Sequence, residues 1–150
     1  MTRRRVVVTG LGCISPVGNS VTESWNNLLS GRSGVDTITS FDTGALACRF
    51  AAQVKDFQIS DYIPEKDARH MDRFIHLGLA AAIQAVHDSG LPTGDALTDD
   101  LAVRIGCNVS SGIGGLPLIE QTHLDLIQRG PRRISPFFVP ATIIDRKSVV

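Results

Sequence analysis

The stretch Leu101-Ala-Val-Arg-Ile-Gly-Cys107, followed by Asn108-Val-Ser-Ser-Gly-Ile-Gly-Gly-Leu116, decides the fold that the sequence predicts. A short apolar run with one charge is typical of a buried strand, and the Gly/Ser run after it predicts a sharp turn. Apolar residues then recur near helical spacing until Gly130, so a helix is predicted directly after the turn. In open α/β sheets, ligands bind where strands end and helices begin. This turn is therefore the first candidate site.

The remainder of the chain also alternates strands with helices. Residues 6–8 are predicted to form a buried strand that breaks into a glycine loop. Ser20 and Glu23 have the spacing of a capping box, which predicts that a helix starts there and carries an apolar stripe. Its stripe consists of Trp25, Leu28 and Leu29, and Gly31 suits its C′ position.

The longest helix is predicted between Met71 and Ser89, because apolar residues fall on one face at steps of three and four. Residues 32–48 are predicted to be a loop, and residues 50–54 a short edge strand. Strands alternating with helices predict an α/β fold, with a parallel sheet covered by helices.

Charge and cysteine content exclude several functional classes. Fifteen basic and fifteen acidic residues cancel, so no overall field attracts nucleic acid or an anionic membrane. Three cysteines without a CxxC pair favour a reducing cytoplasm over a disulfide framework or a zinc site. The sequence also has no run of 18 apolar residues and no signal-peptide core. We expect a cytoplasmic protein without a membrane segment.

Two catalytic interpretations of the glycine loops are weak. The loop after Val8 resembles the start of a dinucleotide fingerprint, but Ser15 stands where the third glycine of G-x-G-x-x-G belongs. Cys107 precedes the other glycine turn, where a helix N-terminus favours a thiolate, yet no histidine is placed to activate it. We interpret the three cysteines as small apolar residues. The four histidines have no metal-ligand spacing, and most are predicted to face solvent.

Basic residues fall into two groups along the chain. Lys66 and Arg69 precede the long helix, and Arg129, Arg132 and Arg133 follow the later one. Such residues are usually a solvated surface. If the two groups meet in the fold, they form a local positive patch that suits an acidic protein partner.

Six motifs in a fixed order together identify a family. They are Arg4-Arg-Val-Val-Val-Thr-Gly-Leu-Gly12, Ser15-Pro-Val-Gly-Asn19, Phe41-Asp42, Val54-Lys-Asp-Phe57, Ser110-Ser-Gly-Ile-Gly-Gly-Leu116 and Gly130-Pro-Arg-Arg-Ile-Ser-Pro-Phe-Phe-Val-Pro140. With them the chain resembles the opening third of a β-ketoacyl-[acyl carrier protein] synthase, most closely the type II enzyme of bacterial fatty acid synthesis. The resemblance runs from Arg4 to about Ile143.

The resemblance implies a thiolase-like α/β fold, of which this chain holds the N-terminal part, and a homodimeric enzyme. It implies a decarboxylative Claisen condensation with acyl carrier protein as partner. A cysteine takes the acyl chain from its carrier, malonyl carrier protein decarboxylates, and the carbanion attacks the thioester. Backbone amides and two histidines stabilise the developing negative charge. No cofactor and no metal are expected.

Individual site residues follow from the resemblance. Ile113 matches the side chain that gates the acyl pocket, and Phe138 matches one that lines the pocket across the dimer interface. Four residues match basic positions that dock the acidic carrier protein. They are Lys66, Arg69, Arg132 and Arg133. His70 stands where the type II pattern often has another basic residue, and the linker at residues 93–100 departs from the pattern in length and content.

The end of the chain departs from the family. The resemblance implies that the nucleophilic cysteine and both catalytic histidines lie beyond residue 150, so none of the three cysteines is expected to be catalytic. The last six residues, Asp145-Arg-Lys-Ser-Val-Val150, equal the translation of a widely used sequencing adapter with its stop codon. We therefore predict a family domain over residues 1–144 and a non-native tail over 145–150. We expect the 150-residue chain alone to be inactive and poorly soluble.

Several alternatives remain open. A type I synthase or a polyketide ketosynthase shares much of this region. A non-catalytic partner of the chain-length-factor kind would have another residue at the nucleophile position. A frameshifted or truncated homologue is the alternative explanation of the tail, and a dehydrogenase is the most distant alternative.

Overall fold

A computed structural model describes residues 3–144. Within this range the α-helices are α1 (Val21–Leu29), α2 (Glu65–Ala68), α3 (Arg73–Ser89), α4 (Asp99–Ala102), α5 (Leu116–Arg129) and α6 (Phe138–Thr142). Three short 3₁₀ turns lie at Ile59–Asp61, Gly94–Ala96 and Pro131–Arg133. The strands β1 (Val35–Thr37) and β2 (Phe50–Ala52) pair antiparallel, with Asp36 opposite Ala51. The predicted tail at 145–150 lies outside the described residues.

Helix α3 is the centre of the fold, and the prediction of a long helix here is confirmed. Asp72 caps its N-terminus by accepting a hydrogen bond from the Arg73 amide, which satisfies one of the free amides of the first turn. Gly90 ends it in the left-handed conformation at φ 67°, a conformation that glycine adopts without steric cost. The helix buries Ile75 and Ala80.

The first glycine loop packs directly on the backbone of α3. A Cβ atom on Gly12 would overlap the carbonyl oxygen of Ala81, and one on Gly10 would overlap that of Ala85. Two loop positions that are two residues apart therefore contact helix positions that are four residues apart. These glycines are needed because only a residue without Cβ lets the two backbones come this close.

Side chains of α3 satisfy the amides of this loop. The Leu11 amide donates to Asp88 Oδ2 at 2.9 Å, and the Cys13 amide donates to Gln84 Oε1 at 3.1 Å. Gln84 Nε2 donates in turn to the Asn19 carbonyl and to the Tyr62 hydroxyl, at 2.8 and 2.7 Å. The predicted glycine loop is thus hydrogen-bonded to α3.

The strand predicted at residues 6–8 is absent from the described structure. Val6 is 94% exposed, and no other strand lies beside this segment among residues 3–144. A strand is stabilised by hydrogen bonds to a neighbour, which local sequence cannot supply. The predicted parallel sheet is likewise not formed within this range, where the sheet has two antiparallel strands.

The strand predicted at residues 101–107 is also wrong. Leu101 and Ala102 belong to α4, and residues 103–107 form a turn and an irregular segment. Asp99 and Asp100 stand in the first turn of α4, where acidic side chains interact favourably with the helix dipole. A polar helix start thus outweighs the apolar run that suggested a strand. The predicted loop at 32–48 also contains β1.

Helix α1 confirms the predicted cap and end. Ser20 Oγ accepts from the Glu23 amide at 3.1 Å, while the Glu23 carboxylate accepts from the Asn19 amide at 2.7 Å, one residue earlier than a capping box requires. Gly31 at φ 68° ends the helix. Its amide bonds the Leu28 carbonyl, and the next amide bonds that of Asn27, as in a Schellman motif.

The described residues bury a small core and leave long apolar stripes uncovered. The buried apolar residues are Phe57, Ile63, Ala68, Ile75, Ala80 and Ala141. Trp25 on α1 is 60% exposed and Ile127 on α5 is 68% exposed, although both lie on the predicted apolar faces. Exposed apolar patches are typical of surfaces that take part in binding.

Candidate functional site

The glycine turn at residues 110–115 is held between two helices. A Cβ on Gly114 would overlap Phe74 Cε2 of α3 and lie 2.6 Å from its Cζ. Gly115 caps α5 at φ 70°, and a Cβ there would lie 3.0 Å from Thr142 Cγ2 of α6. Ile113 between them is 76% exposed. The structure therefore presents this side chain on a closely packed backbone turn.

A cleft of about 360 Å³ is lined by residues around the starts of α3 and α6 and by residues of α5. Its lining includes Arg69 and His70 before α3, Leu118 of α5, and Phe137 and Phe138 at the start of α6. The His70 and Phe137 rings pack at 4.6 Å between centroids. Phe138 thus lies at the same cleft as Arg69. Ile113 is not among the lining residues, so the two candidate acyl-pocket residues do not share this cleft.

Of the four basic candidates, only Arg69 is among the residues that line that cleft. Lys66 lies in α2, and Arg69 is the C-cap residue of that helix. Arg132 and Arg133 belong to the 3₁₀ turn that ends two residues before Ser135, another residue of the cleft lining. All four side chains are exposed. Within residues 3–144 none of the four forms an ion pair, whereas Arg129 pairs with Asp125 at 3.4 Å.

Two amides of the first glycine loop are already hydrogen-bonded within the protein, and α3 occupies the space beside its glycines. Leu11 and Cys13 donate to side chains of α3, and the space beside Gly10 and Gly12 is filled by the helix backbone. Phosphate binding at such a loop depends on amides that point at the ligand. The geometry therefore counts against the dinucleotide interpretation.

The cysteines differ from the expectation of small buried residues. Cys48 and Cys107 are exposed, and only Cys13 is partly buried, with its Sγ 3.8 Å from Ser24 Oγ. The predicted burial of Cys107 is wrong because the strand that was expected to contain this residue is not formed. None of the three forms a disulfide.

The histidines lie largely where the sequence suggests. His70, His87 and His123 are exposed, while His76 is partly buried with Nε2 3.0 Å from the Ala68 carbonyl oxygen. Among residues 3–144, no three His, Cys, Asp or Glu side chains come together as metal ligands would. In that range, none of the helices combines the length and the apolar character that a membrane crossing requires.

Sequence reasoning missed the residues that hold the turn. Phe74 had been assigned only to the apolar face of α3, and Thr142 had no assigned role. Asp72 caps α3 and also accepts from the Leu118 amide at 3.4 Å, which links the starts of α3 and α5. An aspartate directly before a periodic apolar run was the one available signal for that cap.

Comparison with known proteins identifies the family. The sequence profile of the β-ketoacyl synthase N-terminal domain matches residues 3–147. The chain is 53% identical over 145 residues to 3-oxoacyl-[acyl-carrier-protein] synthase 2 of Vibrio harveyi, covering 97% of this chain and 34% of that protein. It is 46% identical over 142 residues to the enzyme of the same name from Staphylococcus aureus strain N315, covering 95% of this chain and 33% of that one. The chain thus spans about a third of the length of these curated relatives.

Solved structures agree with this assignment. A ketosynthase complexed with its type II polyketide acyl carrier protein matches at TM-score 0.71 and 27% identity, over 95% of this chain and 37% of that one. A β-ketoacyl synthase from Burkholderia phymatum matches at TM-score 0.72 and 23% identity, over 93% of this chain and 34% of that one, which supports the fold alone. The expected thiolase-like α/β fold is thereby confirmed, as an N-terminal part. The chain belongs to the β-ketoacyl synthase family, whose N-terminal domain it matches.

Proposed function

We propose that this chain supplies the N-terminal part of a type II 3-oxoacyl-[acyl carrier protein] synthase of fatty acid elongation. The identity of 53% to the Vibrio harveyi synthase, over nearly the whole chain, carries the proposal. The reaction is the decarboxylative condensation of an acyl thioester with malonyl carrier protein. The relatives contain about twice as much additional sequence, to which we assign the nucleophile and the catalytic histidines.

We assign the acyl-pocket roles to Ile113 and Phe138. The two closely packed glycines after Ile113 support a gating role, because an exposed side chain next to a fixed backbone can change rotamer without moving the fold. Phe138 lies at the cleft beside the basic residues. We also propose a cytoplasmic homodimer, which the three free cysteines and the uncovered apolar faces support.

The acidic carrier protein is the proposed partner of the basic residues beside the cleft. These are Lys66, Arg69, Arg132 and Arg133. All four are exposed, Arg69 lines the cleft, and Arg132 and Arg133 shortly precede the lining residue Ser135, which supports a docking surface. A solved relative is itself a ketosynthase in complex with an acyl carrier protein. Exposed charges of this kind mainly raise the association rate and set the salt dependence of binding.

The experiment is a chimera in which residues 3–144 replace the matching region of the Vibrio harveyi synthase. We expect condensing activity with acyl and malonyl carrier proteins, and no activity from the 150-residue chain alone. Arg69→Glu in the chimera is expected to raise the KM for carrier protein by about tenfold, with less effect at high salt. Arg104→Glu is the matched control, because Arg104 is exposed but does not line the cleft.

Two outcomes would contradict this assignment. One is a chimera that folds, as judged by circular dichroism and elution volume, but forms no 3-oxoacyl product. The other is an equal KM for carrier protein in the Arg69→Glu and Arg104→Glu variants. That result would reject the proposed docking surface. For residues 145–150 we propose a non-native tail, and an independent DNA read across codons 140–150 tests it.

A polyketide ketosynthase or a chain-length-factor-like partner is the second candidate. A ketosynthase/chain length factor matches the chain at TM-score 0.65 and 28% identity. The much higher identity to synthase 2 relatives favours fatty acid elongation. Polyketide-length products from the active chimera, where the parent makes fatty acyl products, would reverse that preference.

A further inference from the structure

The glycine turn that carries Ile113 rests on the ring of Phe74. Any side chain at Gly114 would collide with Phe74 Cε2, and its Cβ would also lie 2.7 Å from Cδ2. Phe74 is partly buried beneath this backbone. The edge of the Phe74 ring thus contacts the Cα of Gly114, which directly follows Ile113. Loss of the ring would leave the turn without support on that side.

Phe74 cannot easily follow the turn, because the start of α3 is tied to two other helices. Asp72 accepts from the Leu118 amide of α5 at 3.4 Å, and the Asp72 amide donates to the Ala141 carbonyl of α6 at 3.3 Å. Phe74 lies two residues later, in the first turn of α3. The ring is therefore held on a junction of three helices.

The next residue of the turn, Gly115, is fixed as well. Gly115 is buried, caps α5 at φ 70°, and its carbonyl accepts from the Ile119 amide at 2.9 Å. The methyl group of Thr142 lies where a side chain on Gly115 would begin. Two neighbouring residues, Gly114 and Gly115, are thus fixed by packing. Their neighbour Ile113 remains exposed, so the position of its side chain depends on the backbone that Phe74 and Thr142 hold.

We propose that Phe74 is a positioning residue for Ile113 and thereby helps to set the acyl chain length that the enzyme accepts. The inference rests on the proposed function, in which Ile113 gates the acyl pocket. The ring defines where the turn lies, and the turn defines how far the Ile113 side chain reaches. A shift of about 1 Å at a group that shapes a reactive site changes rates by up to about 100-fold.

The test uses the active chimera with a short-chain and a long-chain acyl carrier protein as competing substrates. Phe74→Ala is expected to change the ratio of the two kcat/KM values by about tenfold, while Phe74→Tyr keeps the ring and stays within about twofold of the parent. Phe50→Ala is the matched control, because Phe50 lies exposed on β2, away from the turn. It is expected to leave the ratio unchanged.

Outcomes separate this inference from the function on which it rests. A purely structural role for Phe74 lowers kcat/KM equally for both substrates and leaves the ratio intact, which would overturn the inference. If Phe74→Ala does not fold, Phe74→Leu provides the same comparison with a smaller loss of volume.

Ile113→Ala supplies the second arm. A changed ratio with Ile113→Ala but not with Phe74→Ala rejects the positioning role and leaves the gate intact. An unchanged ratio with Ile113→Ala rejects the gate, and the inference with it. An unmodified chimera that folds without condensing activity rejects the proposed function itself.

Discussion

Gly12→Ala should strongly destabilise the chain, because the loop and α3 have no room for a methyl group. The new Cβ would overlap the Ala81 carbonyl oxygen and lie 2.8 Å from the Ala85 nitrogen. Both atoms belong to the helix backbone, which cannot rotate away as a side chain can. Bringing the Ala85 contact alone to an ordinary 3.4 Å moves the loop by about 0.6 Å, and the closer Ala81 contact requires a larger shift.

The cost follows from what this shift breaks. Even a shift of about 0.6 Å would lengthen the Leu11 and Cys13 hydrogen bonds from 2.9 and 3.1 Å to about 3.5 and 3.7 Å, beyond useful geometry. Each lost bond costs about 1 kcal/mol, and overpacking costs about 1–3 kcal/mol. We expect the free energy of unfolding to fall by about 3–5 kcal/mol, a large part of a typical domain's 5–15 kcal/mol.

The assay is urea unfolding followed by the far-ultraviolet circular dichroism of the helices. Gly106→Ala is the matched control, because a Cβ at Gly106 meets nothing within 4 Å. The control is expected to stay within about 0.5 kcal/mol of the parent chain. Equal midpoints for Gly12→Ala and Gly106→Ala would refute the close approach of loop and helix.

Three further predictions concern other parts of the fold. Gln84→Leu removes the partner of three hydrogen bonds and should lower the free energy of unfolding by about 2–3 kcal/mol in the same urea assay. Gly31→Ala places an alanine at φ 68°, where its Cβ meets no other atom. The strained backbone should lower the free energy of unfolding by about 1 kcal/mol. The hydrogen bond from Lys55 holds the pKa of Asp36 below 3.8, so carboxyl NMR should show its midpoint under that value, and Lys55→Met should raise it.

The sign of the Asp36 effect follows from linkage. A folded-state pKa below the unfolded value stabilises the fold above pH 3.8 and loses that contribution as pH falls through the lower, folded value. A midpoint unchanged by Lys55→Met would contradict the ion pair.

Gln84→Glu is the control for Gln84→Leu, since it keeps the acceptor for the Cys13 amide and loses only the donors. A Gly31→Ala chain as stable as the parent would contradict the left-handed helix end.

Motif order identified the family, but packing roles inside the motifs did not follow from it. The sequence assigned Gly10 and Gly12 to a tight turn, whereas the structure shows them against the α3 backbone. The sequence placed Arg69 among basic residues before the long helix, and the fold makes it part of a cleft lined also by residues of α5 and α6. The sequence places Ile113 in the glycine turn, but the contact of Phe74 with Gly114 in that turn joins positions 40 residues apart. Such contacts have no local signature.

The sequence by itself determined the helices α1, α3 and α5, because helical hydrogen bonds are local and caps such as Ser20 and Gly90 mark their ends. Only the tertiary structure shows that the strands predicted at 6–8 and 101–107 do not form. A strand needs a partner from elsewhere in the chain, and within residues 3–144 neither segment has one. Composition and periodicity describe each segment alone, whereas pairing and close packing depend on what lies beside it.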